Sequence, residues 1–275
     1  MSSSSPIGVF DSGIGGITVV KELINRLPNE KIIYFGDTAR VPYGNKSPET
    51  IIAYSRQIVR FLINKGVKAI VVACNTASAV ALETLRSEIT VPIIGVVKPG
   101  AKAAAEATTN GKIGVIATRA TITSGIYEDF LRKTNPDTEV HKQACPLFVP
   151  LVEEGWTDDD ITTQIIHRYL DDMLREGIDA LVLGCTHYPL LTESIRKVTG
   201  PNITLVNPAY ECAREFSYVL EENNLLNSEA PSGSAPHPPH EFYVSDSPAQ
   251  FTGFANSILP EGIVTEKTVK TITLE

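Results

Sequence analysis

The chain is predicted to be an α/β protein, with parallel sheets covered by helices on both faces. Three observations carry that expectation. Short apolar runs alternate with longer segments of helical period along nearly all of the 275 residues. Two of those runs end alike: Ala69-Ile-Val-Val-Ala-Cys74-Asn75-Thr76 and Ala180-Leu-Val-Leu-Gly-Cys185-Thr186-His187. Two others, Ile7-Gly8-Val9-Phe10-Asp11-Ser12 and Ile113-Gly114-Val115-Ile116-Ala117-Thr118, match at an offset of 106 residues, near the 111 between Cys74 and Cys185. Apolar strands resemble one another by composition, but two matches in order, each ending in a polar residue, predict an internal duplication.

The elements follow in order. Residues 7–11 read as a buried strand, and 16–27 as a helix with Ile17, Val20, Ile24 and Leu27 at helical spacing. Residues 31–37 form the next strand. Ser47-Pro48-Glu49 starts a helix, with a capping hydroxyl, proline at the first position and an acid in the first turn, and Gly66 ends it. A strand over 68–73, a helix through Ser87 and a strand over 91–97 complete the first series. The rhythm restarts at Lys112, and the second half is expected over 99–207. Asp158-Asp159-Asp160 places negative charge at a helix start. Residues 209–224 read as a helix. Asn227 to His240, rich in Pro, Ser and Gly, reads as an exposed loop. The remaining residues, with strand-like 242–244 and 269–274, are too few for a third domain and are expected to complete the first. The division is thus 1–98 plus 208–275, and 99–207.

Composition narrows the function classes. Lys plus Arg is 24 against 32 Asp plus Glu, a formal charge of −8. A chain this acidic, with no basic cluster interleaved with aromatics, is expected to bind no nucleic acid. No apolar run approaches the roughly 18 residues of a membrane span, and the N-terminus lacks signal-peptide features, so a cytoplasmic protein without membrane contact is expected. The four cysteines, Cys74, Cys145, Cys185 and Cys212, form no C-x-x-C pair, and no metal site is expected. A buried inert thiol is the reading kept for Cys145 and Cys212.

Cys74 and Cys185 are different. Ligands of open α/β sheets bind beyond the carboxyl ends of strands. Two facing halves would set one thiol on each side of a shared cleft. Two acid/base groups on opposite faces of one carbon are what inverting a stereocentre requires. Asp11 ends the first strand, as an N-cap or as an acid/base partner. The glycines of Asp11-Ser12-Gly13-Ile14-Gly15-Gly16 either make a tight turn or admit an anion to backbone N–H groups. Thr18 stands where the last glycine of a dinucleotide fingerprint would be. Asn75-Thr76 and Thr186-His187 each begin the turn into a helix, where they either cap it or bind a carboxylate without Lys or Arg. His187, two residues after Cys185, is a structural hydrogen-bonder or a tuner of the thiol.

The chain resembles bacterial glutamate racemases, cofactor-independent members of the aspartate/glutamate racemase superfamily. The matching motifs run in order: Gly8-Val-Phe-Asp11-Ser12-Gly13-Ile-Gly15-Gly16, Gly36-Asp37, Val41-Pro42-Tyr43-Gly44, Ala73-Cys74-Asn75-Thr76-Ala77, Cys145-Pro146-Leu-Phe-Val-Pro150-Leu-Val-Glu153 and Gly184-Cys185-Thr186-His187-Tyr188-Pro189. Only the Pro-rich stretch near 227–240 falls outside them. The resemblance implies two similar doubly wound parallel-sheet domains related by pseudo-twofold symmetry, with the active site between them. It implies racemisation of L- and D-glutamate for peptidoglycan, with no cofactor and in a homodimer. It assigns Cys185 to the proton of L-glutamate, aided by His187, and Cys74 to that of D-glutamate, aided by Asp11. Ser12, Tyr43, Gly44, Asn75, Thr76, Thr186 and His187 match substrate contacts, joined by Thr118, Thr121 and Glu153. The competing readings are an aspartate or other two-thiol racemase, a two-lobed amino-acid binding module and a thiol hydrolase. A binding module needs no symmetric thiols, and a thiol hydrolase leaves the second cysteine without a task.

Overall fold

The computed structural model describes residues 2–229 and 237–274. Among these residues ten strands form two wholly parallel sheets. In chain order they are β1 (Ile7–Asp11), β2 (Ile32–Gly36), β3 (Ala69–Val72), β4 (Ile93–Gly95), β5 (Lys112–Ala117), β6 (Glu139–Ala144), β7 (Ala180–Gly184), β8 (Thr204–Val206), β9 (Glu241–Val244) and β10 (Val269–Thr271). The first sheet runs β10-β9-β2-β1-β3-β4 and the second β6-β5-β7-β8.

The duplication is visible in that order. Strands β2-β1-β3-β4 and β6-β5-β7-β8 share one topology, and the register repeats. Ile7 pairs with Ala69 and Phe10 with Val72, as Ile113 pairs with Ala180 and Ile116 with Leu183. In each half the chain leaves the first strand to one side and returns on the other. The crevice at such a switch point is where strand-end side chains meet a ligand.

Alternate residues of each inner strand face opposite cores, as period-two geometry requires. Ile7, Val9, Ala69 and Val71 pack under the helices Ile17–Arg26 and Pro208–Glu222. Phe10, Ile70 and Val72 pack under Pro48–Asn64. The second sheet is covered likewise by Val97–Ala107 and Ile126–Thr134 on one face and Asp160–Arg175 on the other. Local signals set the helix starts: Ser47 accepts from Thr50 N–H at 3.3 Å and Asp159 from Thr162 N–H at 3.0 Å. Gly66 closes its helix at φ +74°.

Several elements depart from the expectation. The helix expected through Ser87 is two, Asn75–Val80 and Leu82–Glu88, separated at Ala81. The strand expected over 91–97 is only Ile93–Gly95, because Val97 already begins a helix. The turn after Cys185 enters a short 3₁₀ stretch, Tyr188–Leu191, and not directly an α-helix. Pro189, which has no N–H to give, sits in its first turn. Of the strand expected over 269–274 only Val269–Thr271 forms; β9 pairs with β2 and β10 with β9, so the tail extends the first sheet. The loop expected over Asn227 to His240 falls in part outside the described residues. Among the described residues no helix is long and apolar enough to cross a membrane.

Candidate active site

The carboxyl ends of β1, β3, β5 and β7 converge on a cavity of about 310 Å³. That is near the lower end for small-molecule pockets and suits a ligand of amino-acid size. Its lining includes Ser12, Tyr43, Gly44, Cys74, Asn75, Thr76, Thr118, Glu153, Cys185, Thr186 and His187. The sequence points to all of these. Asp11 and Thr121, also expected at the site, do not reach the lining. Asp11 is buried behind it, with Oδ2 accepting from Gly13 N–H at 2.9 Å and Oδ1 unpartnered among the described residues. Thr121 stands behind Thr76 and Thr118, its Oγ1 at 3.3 and 3.1 Å from theirs.

Each thiol follows an inner strand. Cys74 caps the helix Asn75–Val80: Ala77 N–H donates to its Sγ at 3.4 Å, and the thiol donates to Ser12 Oγ at 3.5 Å. Burial and then the neighbouring Asp11 carboxylate push this thiol up to about 12, although the hydrogen bonding with Ser12 and with Ala77 N–H acts the other way. Cys74 is therefore protonated near neutral pH.

Cys185 has a different neighbour. His187 Nδ1 lies 3.9 Å from its Sγ, and Nε2 donates to Glu153 Oε1 at 3.0 Å. Burial opposes charge on this imidazole. Its hydrogen bonds to Cys185 and Glu153, and their negative charges, outweigh burial and raise it to about 10. Burial raises Asp11 as well, while the His187 cation and the N–H groups of Gly13, Gly16 and Ser12 oppose the rise. The two halves thus differ electrostatically: a neutral thiol near a buried carboxyl on one side, a thiol beside a cation on the other.

Close backbone approach joins the halves here. A Cβ on Gly15 would overlap His187 Cε1 and Thr186 Oγ1, and one on Gly44 would lie 2.9 Å from Thr118 Cβ. Thr18, the residue that breaks the dinucleotide pattern, donates to both Gly15 O at 3.0 Å and Thr186 O at 2.9 Å. Thr76 Oγ1 lies 2.9 Å from Thr118 Oγ1. This ring of hydroxyls, amide and backbone N–H groups offers donors to a carboxylate.

Some site residues escape a reading of the sequence. Arg119 lines the cavity and is the one Lys or Arg to do so among the described residues. Its place directly after Thr118 is the available signal. Asp37 holds the loop that presents Tyr43: it accepts from the Tyr43 hydroxyl, from Arg40 Nε at 2.8 Å and from Ser245 Oγ at 2.9 Å. Ser245 follows β9, so only the folded topology reveals that partner. Cys145 and Cys212 are fully buried in two of the cores, where burial raises both thiols. Among the described residues no group of three or more His, Cys, Asp or Glu could hold a metal ion.

The family model for Asp/Glu/hydantoin racemases matches residues 7–215. The chain belongs to the Asp/Glu/hydantoin racemase family. Within that family it is 49% identical to a glutamate racemase of Geobacter metallireducens over 253 residues, covering 92% of each chain. It superposes on glutamate racemase isoform RacE1 of Bacillus anthracis with a TM-score of 0.91 at 40% identity, over 99% of this chain and 98% of that one. The glutamate racemase of Francisella tularensis in complex with D-glutamate gives 0.89 at 40% identity, over 99% of each chain. These racemases share both sheets with the present chain.

Proposed function

We propose that the protein is a glutamate racemase that interconverts L- and D-glutamate by a two-base reaction and so supplies D-glutamate for peptidoglycan. The observation that carries this is a single cavity lined by Cys74 from the first half and Cys185 from the second. The family membership and the relatives' activity support glutamate as the substrate.

In the L-to-D direction Cys185, as a thiolate paired with the His187 imidazolium, takes the α-proton. The C–H electron pair passes to the α-carbon and its carboxylate, and a new S–H bond forms. The neutral Cys74 thiol gives its proton to the opposite face and is left as a thiolate. The D-to-L direction starts from that second protonation state, with Asp11 behind Cys74. A free enzyme left with its protons on the wrong sides must exchange them before another turnover in the same direction. Asn75, Thr76, Thr118 and Thr186 supply donors toward the charge that builds on the carboxylate, the interaction with most leverage in a dry site. Glu153 holds the His187 ring, and Ser12, Tyr43 and Gly44 close one wall. No step of this reaction calls on a cofactor.

The reading extends to the whole chain. Residues 1–98 with 208–275 make one domain, and 99–207 the other, a division supported by the sheet to which each strand belongs. Four free buried cysteines suit a reducing cytoplasm. A homodimer completes the proposal, supported by the exposed apolar side chains Trp156 and Ile161; sedimentation of the purified protein tests it.

The deciding experiment is circular dichroism of L-glutamate incubated with dialysed, chelator-treated protein, with L-aspartate in parallel. Decay of the glutamate signal to zero, with solvent deuterium entering Cα, is expected. Activity that returns only with pyridoxal phosphate overturns the two-thiol reaction. Loss of the aspartate signal alone moves the assignment to an aspartate racemase. Binding without deuterium exchange makes the protein a binding module.

A further inference from the structure

We infer that Tyr127 is a positioning residue of the site: from the second half of the molecule it fixes the side-chain amide of Asn75, in the first half, so that the amide nitrogen is offered to the substrate. The inference rests on the reading of the cavity as a glutamate site.

Tyr127 lies in the helix Ile126–Thr134, is 2% exposed and does not line the cavity. Its hydroxyl donates to Asn75 Oδ1 at 2.6 Å, across the boundary between the two sheets. Its ring packs on Gly184, where an added Cβ would lie 3.3 Å from Tyr127 Cε2. One side chain thus touches the residue after Cys74 and the residue before Cys185.

The orientation of the amide follows from donor counting. Among the described residues the Tyr127 hydroxyl has Asn75 Oδ1 as its acceptor. With the amide turned over, Nδ2 would donate to the phenol oxygen, and the buried phenol O–H would be stranded without an acceptor. Leaving a buried donor unmade is costly. The phenol therefore selects the rotamer in which Oδ1 faces Tyr127 and Nδ2 faces away. Burial also holds the phenol above its ordinary range, so it remains a donor throughout the working pH. Asn75 itself lines the cavity. A fixed –NH₂ edge there favours an acceptor-only group, a carboxylate, over one that must donate. An asparagine free to flip would present donor and acceptor alternately.

The test is a double-mutant cycle with Tyr127→Phe, which keeps the ring and its packing, and Asn75→Ala. Steady-state racemisation is followed in both directions, with melting curves beside it. Expected is a rise in KM of about three- to tenfold for Tyr127→Phe, with kcat within about twofold, the sign of lost uniform binding. In the Asn75→Ala background the same change should have almost no further effect. A Tyr127→Phe variant with wild-type KM overturns the inference. So does a loss that persists undiminished without Asn75, or one that shows only as earlier melting. Wild-type protein inert toward both enantiomers of glutamate overturns the functional reading and this inference with it; active wild type beside an unaffected Tyr127→Phe overturns the inference alone.

Discussion

At Cys74 and Cys185 the same side chain is held in two different electrostatic settings, and that difference makes residue-level predictions. Cys74→Ser or Cys185→Ser should abolish racemisation, since each removes proton transfer on one face. Cys145→Ala and Cys212→Ala should keep turnover near wild type, because both thiols are buried in cores and neither lines the cavity. Loss of activity in a well-folded core variant, or near-normal racemisation by either strand-end serine, would falsify the assignment. Asp11→Asn and His187→Asn should each cost about 10²–10⁴-fold, as expected for loss of acid/base assistance. The equilibrium constant between enantiomers cannot change, so kcat/KM must fall equally in both directions. The asymmetry belongs in kcat, KM and the α-deuterium isotope effects, with His187→Asn acting on turnover from L-glutamate and Asp11→Asn from D-glutamate. If both variants keep wild-type isotope effects and only melt earlier, Asp11 and His187 serve the fold. Most of these residues are legible in the sequence, because each closes an apolar run or follows one directly. Asp11 is legible as a strand end, but not as a carboxyl hidden behind the wall. Burial depth depends on what the other half places in front of it. Tyr127 gives no signal at all: its partner Asn75 is 52 residues away in the other half.

The elements that position the site are the strand-to-helix turns, and a glycine in one of them has a different role from a glycine inside a helix. Gly15 sits where the first half meets His187 and Thr186, so Gly15→Ala should push those side chains out of line. Displacing catalytic groups by about 1 Å costs on the order of 10²-fold. Activity should therefore fall by about that factor while the melting temperature changes little. Gly253, inside the helix Pro248–Asn256, has nothing within 4 Å of an added Cβ. Gly253→Ala should leave turnover intact and stabilise the protein by about 0.5–1 kcal/mol, the helix penalty of glycine. Urea denaturation and kcat/KM measured on both variants check the pair; equal effects on stability and activity in Gly15→Ala would show a turn that matters only to folding. Periodicity reveals the inner strands and most helices here, because both faces of each sheet are covered and those apolar runs are unbroken, but it does not show the edge strand β6, Glu-Val-His-Lys-Gln-Ala. Nor does it show the break at Ala81 or the 3₁₀ stretch after His187. An apolar or small residue continues a helical pattern whether or not the backbone does, and Pro189 acts through its missing N–H rather than through hydropathy. The pairing of β9 with β2 follows from the sequence only through length, since parallel partners far apart in the chain leave no local mark.

For the whole molecule, the two halves and the C-terminal tail are one structure whose stability is tied to protonation in the first sheet, at His240, and at the site, at His187. His240, just ahead of β9, accepts from Ile32 N–H at 3.1 Å through Nδ1, so its ring is neutral in the fold. Burial, then the charges of His237 and Lys31, push it down to about 4 from an ordinary 6.5. The sign follows from proton counting. Between pH 6.5 and 4 the unfolded chain holds a proton on this ring that the folded chain does not. The contribution of His240 is therefore complete above about pH 6.5 and is lost as the pH falls through 4. Between pH 7 and pH 5 that loss comes to about 2 kcal/mol. At the site the sign is opposite. His187 is raised to about 10, so its contribution is complete below 6.5 and is lost as the pH rises through 10. The two histidines thus bend the stability curve down on opposite sides of pH 6.5. Other groups act in the acid range too: buried Asp11, raised, gains as the pH falls, while Glu241, lowered to about 2 chiefly by its hydrogen bond from Lys31, loses. The measurement must therefore be a difference. His240→Asn keeps an acceptor for Ile32 N–H but cannot be protonated. Its melting temperature relative to wild type should rise by roughly 5 °C on going from pH 7 to pH 5. His187→Asn should show no such relative gain toward acid, and a relative gain between pH 7 and 9 instead. A constant offset between His240→Asn and wild type across pH 5–7 would mean that His240 takes up its proton in the fold as readily as in the unfolded chain.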